Sequence, residues 1–443
     1  MTSNPAPGGG RLLYFAIAYG GSAAVQKALG FAVFMWLAHS LSVREYGTFG
    51  LVYALQVAVA TFAGAGVIES VVGALKGRGS FELRDGLFGA ANSAFVILAV
   101  PAVLVVVLVY FLFLRDDAVS ILMLVGVVVS GLITAFTMLQ ANMVRLEENH
   151  TQAVALGFFV PLGGFAGGIV AFLLVRDIGS FFIGMSLGLV LASLALAVKG
   201  AGFYRFAHPP GMARGILHGI APFICIAVLS WAGGYGNTYL VNSLFEPKDV
   251  ARFTFALTVS AVMQLVATSL NQVWAPRFYR LLGELPHDVL EQRNRRFFIF
   301  QGFALGMVGA CVLLVFPGAM RLAGGNLLAY QDLTLELLLL FGAYAVSIPW
   351  WHAQNYFYAN NQGRELLNVT IVGSIAGLLA WIAAAFAWGV IGVYIGFLLQ
   401  MLARAVAAYA AALRHWRVRL QWEGMAISLL LMCVAAAATV AIY

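Results

Sequence analysis

Charge is what this sequence has least of. Only 10% of its 443 residues are Asp, Glu, Lys or Arg, 62% are hydrophobic, and the mean hydropathy is +0.92. A soluble chain of this size needs far more charge to cover its exterior, so a water-soluble enzyme or binding domain is excluded. Cysteine is nearly as scarce. Cys225, Cys311 and Cys433 each stand alone in an apolar segment, without metal or disulfide spacing, and read as small buried hydrophobes. Long polar loops are lacking too. The longest, Pro276 to Arg296, is too short for an extramembrane domain, so any machinery must lie within the helices.

What is present is apolar sequence in blocks of roughly 20 residues or more, the length a hydrocarbon core of about 30 Å asks of a helix. Thirteen spans are predicted. They are Leu12–Ala38, Phe49–Leu75, Gly86–Leu114, Ala118–Val144, Thr151–Val175, Ile178–Tyr204, Ile216–Phe245, Val250–Ala275, Phe297–Phe316, Leu333–Tyr358, Leu366–Gly389, Val390–Ala411 and Met425–Tyr443. The first apolar block is much longer than the core of a signal peptide and is read as a retained span behind a short Pro/Gly-rich tail.

Orientation follows from the basic residues. With the N-terminus in the cytoplasm, inside segments carry 18 Lys and Arg, among them Arg293, Arg295, Arg296, Arg404, Arg414, Arg417 and Arg419; outside loops carry 6, and Lys27 lies within a span. The net charge of +7 is therefore membrane topology rather than a nucleic-acid footprint. The expected location is the inner, cytoplasmic membrane, with no nucleic-acid partner.

Two short patterns recur. Ser42-Val-Arg-Glu-Tyr-Gly-Thr-Phe49 after the first span is matched by Glu246-Pro-Lys-Asp-Val-Ala-Arg-Phe253 after the seventh. Ala141-Asn-Met-Val-Arg145 after the fourth is echoed by Tyr358-Ala-Asn-Asn-Gln-Gly-Arg364 after the tenth. A separation of six spans makes the halves parallel repeats, related by an axis along the membrane normal.

With these patterns on view, the chain resembles the polysaccharide flippases of the multidrug/oligosaccharidyl-lipid/polysaccharide exporter superfamily. The resemblance rests on Lys27-Ala-Leu-Gly30 with Leu37-Ala-His-Ser-Leu-Ser-Val-Arg-Glu-Tyr-Gly-Thr-Phe49, on Arg145 with Glu148 and Asn149, and on Pro222-Phe through Trp231 to Asn237. It continues through Val273-Trp-Ala-Pro-Arg-Phe-Tyr279 and Asn361-Gln-Gly-Arg364. It implies an all-α polytopic membrane protein with two six-helix lobes around a central cavity. The lobes would be 1–208 and 209–420, with one extra span at 421–443. It further implies outward movement of an isoprenoid-pyrophosphate-linked oligosaccharide by alternating access, for export of O-antigen, exopolysaccharide or capsule. Membrane lipids, a polysaccharide polymerase and export machinery would be partners. Members often carry an acid near the outer end of the seventh span; here Asn237-Thr238 stands instead, which leaves proton or sodium coupling open. No cofactor is expected.

Several in-span residues could carry transport. Lys27 sits near mid-membrane, where a charge costs roughly 2.5–3.5 kcal/mol on insertion scales, so a cavity-facing anion site is one reading and a tie to an acid the other. Gln26 shares its helical face. Glu69 in the second span is either an ion site or an interfacial residue bonded to Lys76 and Arg78. Those two bases, with Arg145 and Arg364, could meet a phosphate or serve only as inside anchors. Gln264, Thr268 and Gln272 continue a polar stripe from Thr254 and Thr258; such a stripe faces water or protein, never lipid. Trp351 and Gln354 lie in an aromatic-amide row suited to sugar rings or to the interfacial belt. Pro101, Pro161, Pro222 and Pro317 would kink their helices. The competing functions are a cation-coupled drug exporter of the same superfamily and a membrane-embedded sugar polymerase or glycosyltransferase. Short outer loops argue against an enzyme.

Overall fold

The structure is a computed structural model describing residues 27–75, 81–114, 119–147, 149–200, 202, 204–360, 362–419 and 422–443. All regular structure among them is helical. Helix α1 covers 27–40, and α2 (Val43–Gly64) and α3 (Val67–Leu75) follow it. Next come α4 (Phe81–Val109, ending in a π turn), α5 (Ile121–Leu146), α6 (His150–Val175) and α7 (Ile178–Val198). The remainder is α8 (Met212–Ala232), α9 (Asn237–Leu244), α10 (Pro247–Glu284), α11 (His287–Ala323), α12 (Thr334–Val346), α13 (Ile348–Ala359), α14 (Gly363–Trp416) and α15 (Trp422–Ile442). Eleven helical segments among the described residues are long and apolar enough to cross a membrane. The chain is a multi-pass all-α membrane protein. At about 81 Å from its 54 residues, α14 is two crossings, bent where Gly389 adopts φ 61°, ψ −139°.

The chain divides into two compact units, Met1–Phe34 with Val52–Val228, and Met35–Leu51 with Leu229–Tyr443. The start of α2 groups with the second unit and most of α8 with the first, and within the second unit α15 packs along α11.

The first repeated pattern explains the exchange at α2. Glu45 caps its own helix: Ser42 N donates to Glu45 Oε2 at 2.8 Å and Glu45 N to Ser42 Oγ at 3.3 Å. Asp249 does the same for α10, accepting from Glu246 N at 3.2 Å. The small residues that follow let the two helix starts cross. A Cβ at Gly47 would lie 2.8 Å from Pro247 O and 3.6 Å from the Ala251 Cβ, and one at Gly50 would fall on the Thr254 side chain. Gly47 aligns with Ala251, and Gly50 with Thr254. Each residue thus meets its own repeat equivalent, as an isologous contact requires. Tyr46, Phe255 and Tyr330 fill in beside the crossing, with Phe255 and Tyr330 stacked at 4.1 Å.

In the first unit, glycines at four-residue spacing do similar work. Gly163 and Gly167 of α6 meet the backbone of Gly188 and Gly184 on α7, an approach no side chain would permit.

Three expectations need correction. The stretch Pro276–Arg296 is not a loop: α10 and α11, of 38 and 37 residues, run beyond the span on a turn at Leu285-Pro286. Helix rich in charge has no hydropathy signal, so only its membrane part was readable. The helices through Pro101, Pro161, Pro222 and Pro317 are continuous, so the breaks to be added to the expected spans are at Ala65-Gly66, Gly233–Gly236 and Ser347. All three cysteines are exposed. Against hydrocarbon an apolar side chain has no need of burial, which is also why Leu322 (92% exposed) and Val198 (88%) lie on the exterior.

Candidate functional site

In the first unit, Lys27 is the first described residue of α1 and is exposed, with no ion-pair partner among the described residues. Three residues on, Gly30 sits against the Phe165 ring of α6, which sets the helix close to that wall. Glu69 is exposed in the first turn of α3, beyond the interruption at Ala65-Gly66. Gly66 has φ +70° and Phe223 packs directly over it; the neighbouring Ser70 hydroxyl donates to Ile216 O at 3.1 Å. The Glu69 carboxyl therefore stands at a break held by α8. Arg145, exposed near the end of α5, donates to Asn142 Oδ1 at 3.1 Å. Gln26, Lys76 and Arg78 lie outside the described residues.

In the second unit, the α10 stripe divides into two parts. Thr254 is buried under Gly50, and the Thr258 hydroxyl turns back to Thr254 O at 2.9 Å, so that end is packing. Gln264 and Gln272 are exposed, while the Thr268 hydroxyl bonds to Gln264 O at 2.8 Å. The Gln272 end meets α13 through Asn355 Nδ2, which donates to Asn271 Oδ1 at 2.9 Å. That bond brings the α10 stripe and the aromatic row into one neighbourhood. There Gln354 Nε2 donates to Tyr358 Oη at 2.9 Å, and Trp351 Nε1 is sealed without a hydrogen-bond partner. Arg364 stands apart, exposed in the first turn of α14.

Sequence reasoning missed the polar interior of this unit. Where the seventh span breaks at Gly233–Gly236, buried Asn237 donates from Nδ2 to Gln400 Oε1 of α14 at 3.1 Å. One turn further along α14, the Arg404 guanidinium lies 5.0 Å from the centre of the Trp350 ring. Arg404 belongs to the middle of a membrane helix and not to the basic inside tail in which the charge count placed it. Beyond it, buried Glu291 accepts hydrogen bonds from Tyr356 Oη, from Asn294 Nδ2 at 3.2 Å and from Arg419 N at 3.1 Å. Asn294 in turn accepts from Trp274 Nε1 at 3.2 Å. Polar residues scattered through apolar blocks and distant in sequence give no periodic signal. Only the excess of Asn, Gln and Trp in the later spans could have hinted at the network. Among the described residues, no group of His, Cys, Asp and Glu is arranged to hold a metal.

No protein-family model matches the chain, and no curated protein does. Solved structures do. A multidrug-resistance MATE-family transporter of the MOP superfamily, inward-facing, superposes with a TM-score of 0.67 at 16% identity, over 87% of this chain and 93% of its own. The lipid II flippase MurJ, in an inward closed conformation, superposes at 0.68 with 13% identity over 97% and 98%. A MOP superfamily transporter from Pyrococcus furiosus superposes at 0.57 with 16% identity over 96% and 95%. At these identities the likeness is one of fold: along nearly its whole length, this chain is folded as the MOP-superfamily transporters are.

Proposed function

We propose that the protein is a flippase rather than an enzyme. It carries an isoprenoid-pyrophosphate-linked oligosaccharide from the inner to the outer leaflet of the cytoplasmic membrane by alternating access, with its N-terminus in the cytoplasm. The observation that carries this reading is the sign of the charge within the spans. Arg404 lies within a long apolar helix, and Lys27 falls within the first span that the sequence predicts; neither has a carboxylate partner among the described residues, whereas Asn237 and Gln400 form a neutral pair. A cation held within a span is kept for a purpose, and a pyrophosphate head group is the complement that a lipid-linked sugar supplies. The fold shared with a lipid II flippase supports the reading. The amide, aromatic and hydroxyl groups around Gln272, Trp351 and Gln354 suit sugar rings. Glu69 would be the proton or sodium site if transport is ion-coupled, and a polymerase with its export machinery would take the product.

A cation-coupled drug exporter is the second reading, favoured by the comparable likeness to a multidrug-resistance transporter. Its cargo would need acids where this chain has bases.

Translocation in proteoliposomes tests the proposal, read as protection of a labelled lipid-linked oligosaccharide from an external reagent. Losing a charge-assisted contact worth about 1.5–3 kcal/mol predicts that Lys27→Ala is slowed about 10- to 100-fold, with partial recovery in Lys27→Arg. Unchanged rates in Lys27→Ala would remove Lys27 from the path.

A further inference from the structure

We propose that Arg404 holds a lipid-borne phosphate within the second unit, at a position formed by α13 and the two halves of α14. Arg404 lies about 22 Å from the Gly389 bend and about 18 Å from Trp416 along its helix, far from either end. A guanidinium at that depth needs a counter-charge, a ring face, or both. It has the ring, since Trp350 lies 5.0 Å beneath it. No carboxylate joins it among the described residues, and its Nε is sealed from solvent without a hydrogen-bond partner. Five acids of this unit are engaged elsewhere. Glu291 is bonded to Tyr356 and Asn294, Glu365 to His415, Glu423 to Arg295, and Asp332 and Glu336 to Arg252.

Two more unpartnered groups belong to the same elements. Trp351 Nε1 neighbours Trp350, and the Oγ of Ser374, a residue only 4% exposed, follows Gly373. A Cβ at Gly373 would come within 2.9 Å of the Arg404 Cα, so its absence lets the first half of α14 close on that residue. The guanidinium fork is complemented by a group that carries negative charge on several oxygens, which describes a phosphate better than any neutral acceptor. The indole N–H and the hydroxyl are further unpartnered donors on the same two elements. An amphiphile carries such a group into a span while its chain stays in hydrocarbon, so the phosphate proposed is lipid-borne. A glycerophospholipid and an isoprenoid pyrophosphate share that chemistry; the second source rests on the function proposed above.

The experiment uses the full chain in detergent, titrated with phosphatidylglycerol, farnesyl pyrophosphate and uncharged diacylglycerol, and read by native mass spectrometry and thermal shift. One phosphate lipid is expected to bind well above diacylglycerol, with affinity falling about tenfold or more in Arg404→Gln and less in Arg404→Lys. Equal binding by Arg404→Gln that melts as the wild type does, or no preference over diacylglycerol, overturns the proposal. Should Arg404→Gln not fold, Arg404→Lys decides: it keeps the charge without the fork, so unaltered affinity would overturn the assignment. Preference for phosphatidylglycerol identifies a resident lipid, and preference for farnesyl pyrophosphate identifies the cargo. Translocation measured alongside separates the two proposals, because phosphate binding without wild-type translocation sinks the flippase reading alone.

Discussion

The crossing of α2 with α10 can be tested by moving bulk from one side to the other. A Cβ at Gly50 would overlap Oγ1 and Cγ2 of Thr254 and lie 2.8 Å from its Cβ. Thr254 is buried at 8% exposure on a helix whose start is fixed by the Asp249 cap, so it cannot swing away. Overpacking a tight interior costs about 1–3 kcal/mol, and Gly50→Ala belongs in the upper half of that range because the Thr254 Cβ cannot rotate clear. Thr254→Gly alone should cost about 1–2 kcal/mol, from helix propensity and lost packing. If the residues meet as described, the double variant Gly50→Ala/Thr254→Gly is more stable than the sum by about 1–2 kcal/mol. Reversible unfolding of the purified protein in mixed micelles with SDS, followed by tryptophan fluorescence, measures all four corners of the cycle. Additive losses would refute the crossing and with it the structural reading of the repeat.

Other residues give independent checks. Gly66→Ala should destabilise by about 1–3 kcal/mol in the same assay, since its φ of +70° disfavours a side chain and Phe223 fills the space; a neutral change would contradict the break in the second span. Glu291→Gln replaces one acceptor oxygen with a donor amide among three donors, and a loss of about 1–3 kcal/mol is expected; wild-type stability would show that the network contributes nothing. Asn237→Ala strands Gln400 Oε1 and should cost a similar amount, about 1–3 kcal/mol, whereas a gain in stability would mean the pair is not formed.

Membrane class and helical fold were legible because hydrocarbon enforces one rule on every span: about 20 apolar residues in helix. The repeat was legible as letters but not as physics. Glu45 and Asp249 read as charges in a loop and prove to be helix caps, while Gly47 and Gly50 become intelligible only once α10 lies across them. The extensions of α10 and α11 were invisible to hydropathy because Arg277 to Arg296 is charged helix. Among the candidate elements, α10 and α13 are tied by Asn271 and Asn355, the sequence neighbours of Gln272 and Gln354 and two amides that carried no signal by themselves. Arg404 was obscured differently: it lies inside the predicted span Val390–Ala411 but was counted with the basic tail, and α14 runs on past it to Trp416.

The central claim is that this chain selects anionic, lipid-linked cargo. Its most direct test sets two cargoes side by side in the same proteoliposomes: a labelled isoprenoid-pyrophosphate oligosaccharide and a lipophilic cation dye driven by a proton or sodium gradient. The account predicts protection of the sugar, sensitivity to Lys27→Ala, and no gradient-driven movement of the dye. Dye transport with the sugar left exposed would contradict it.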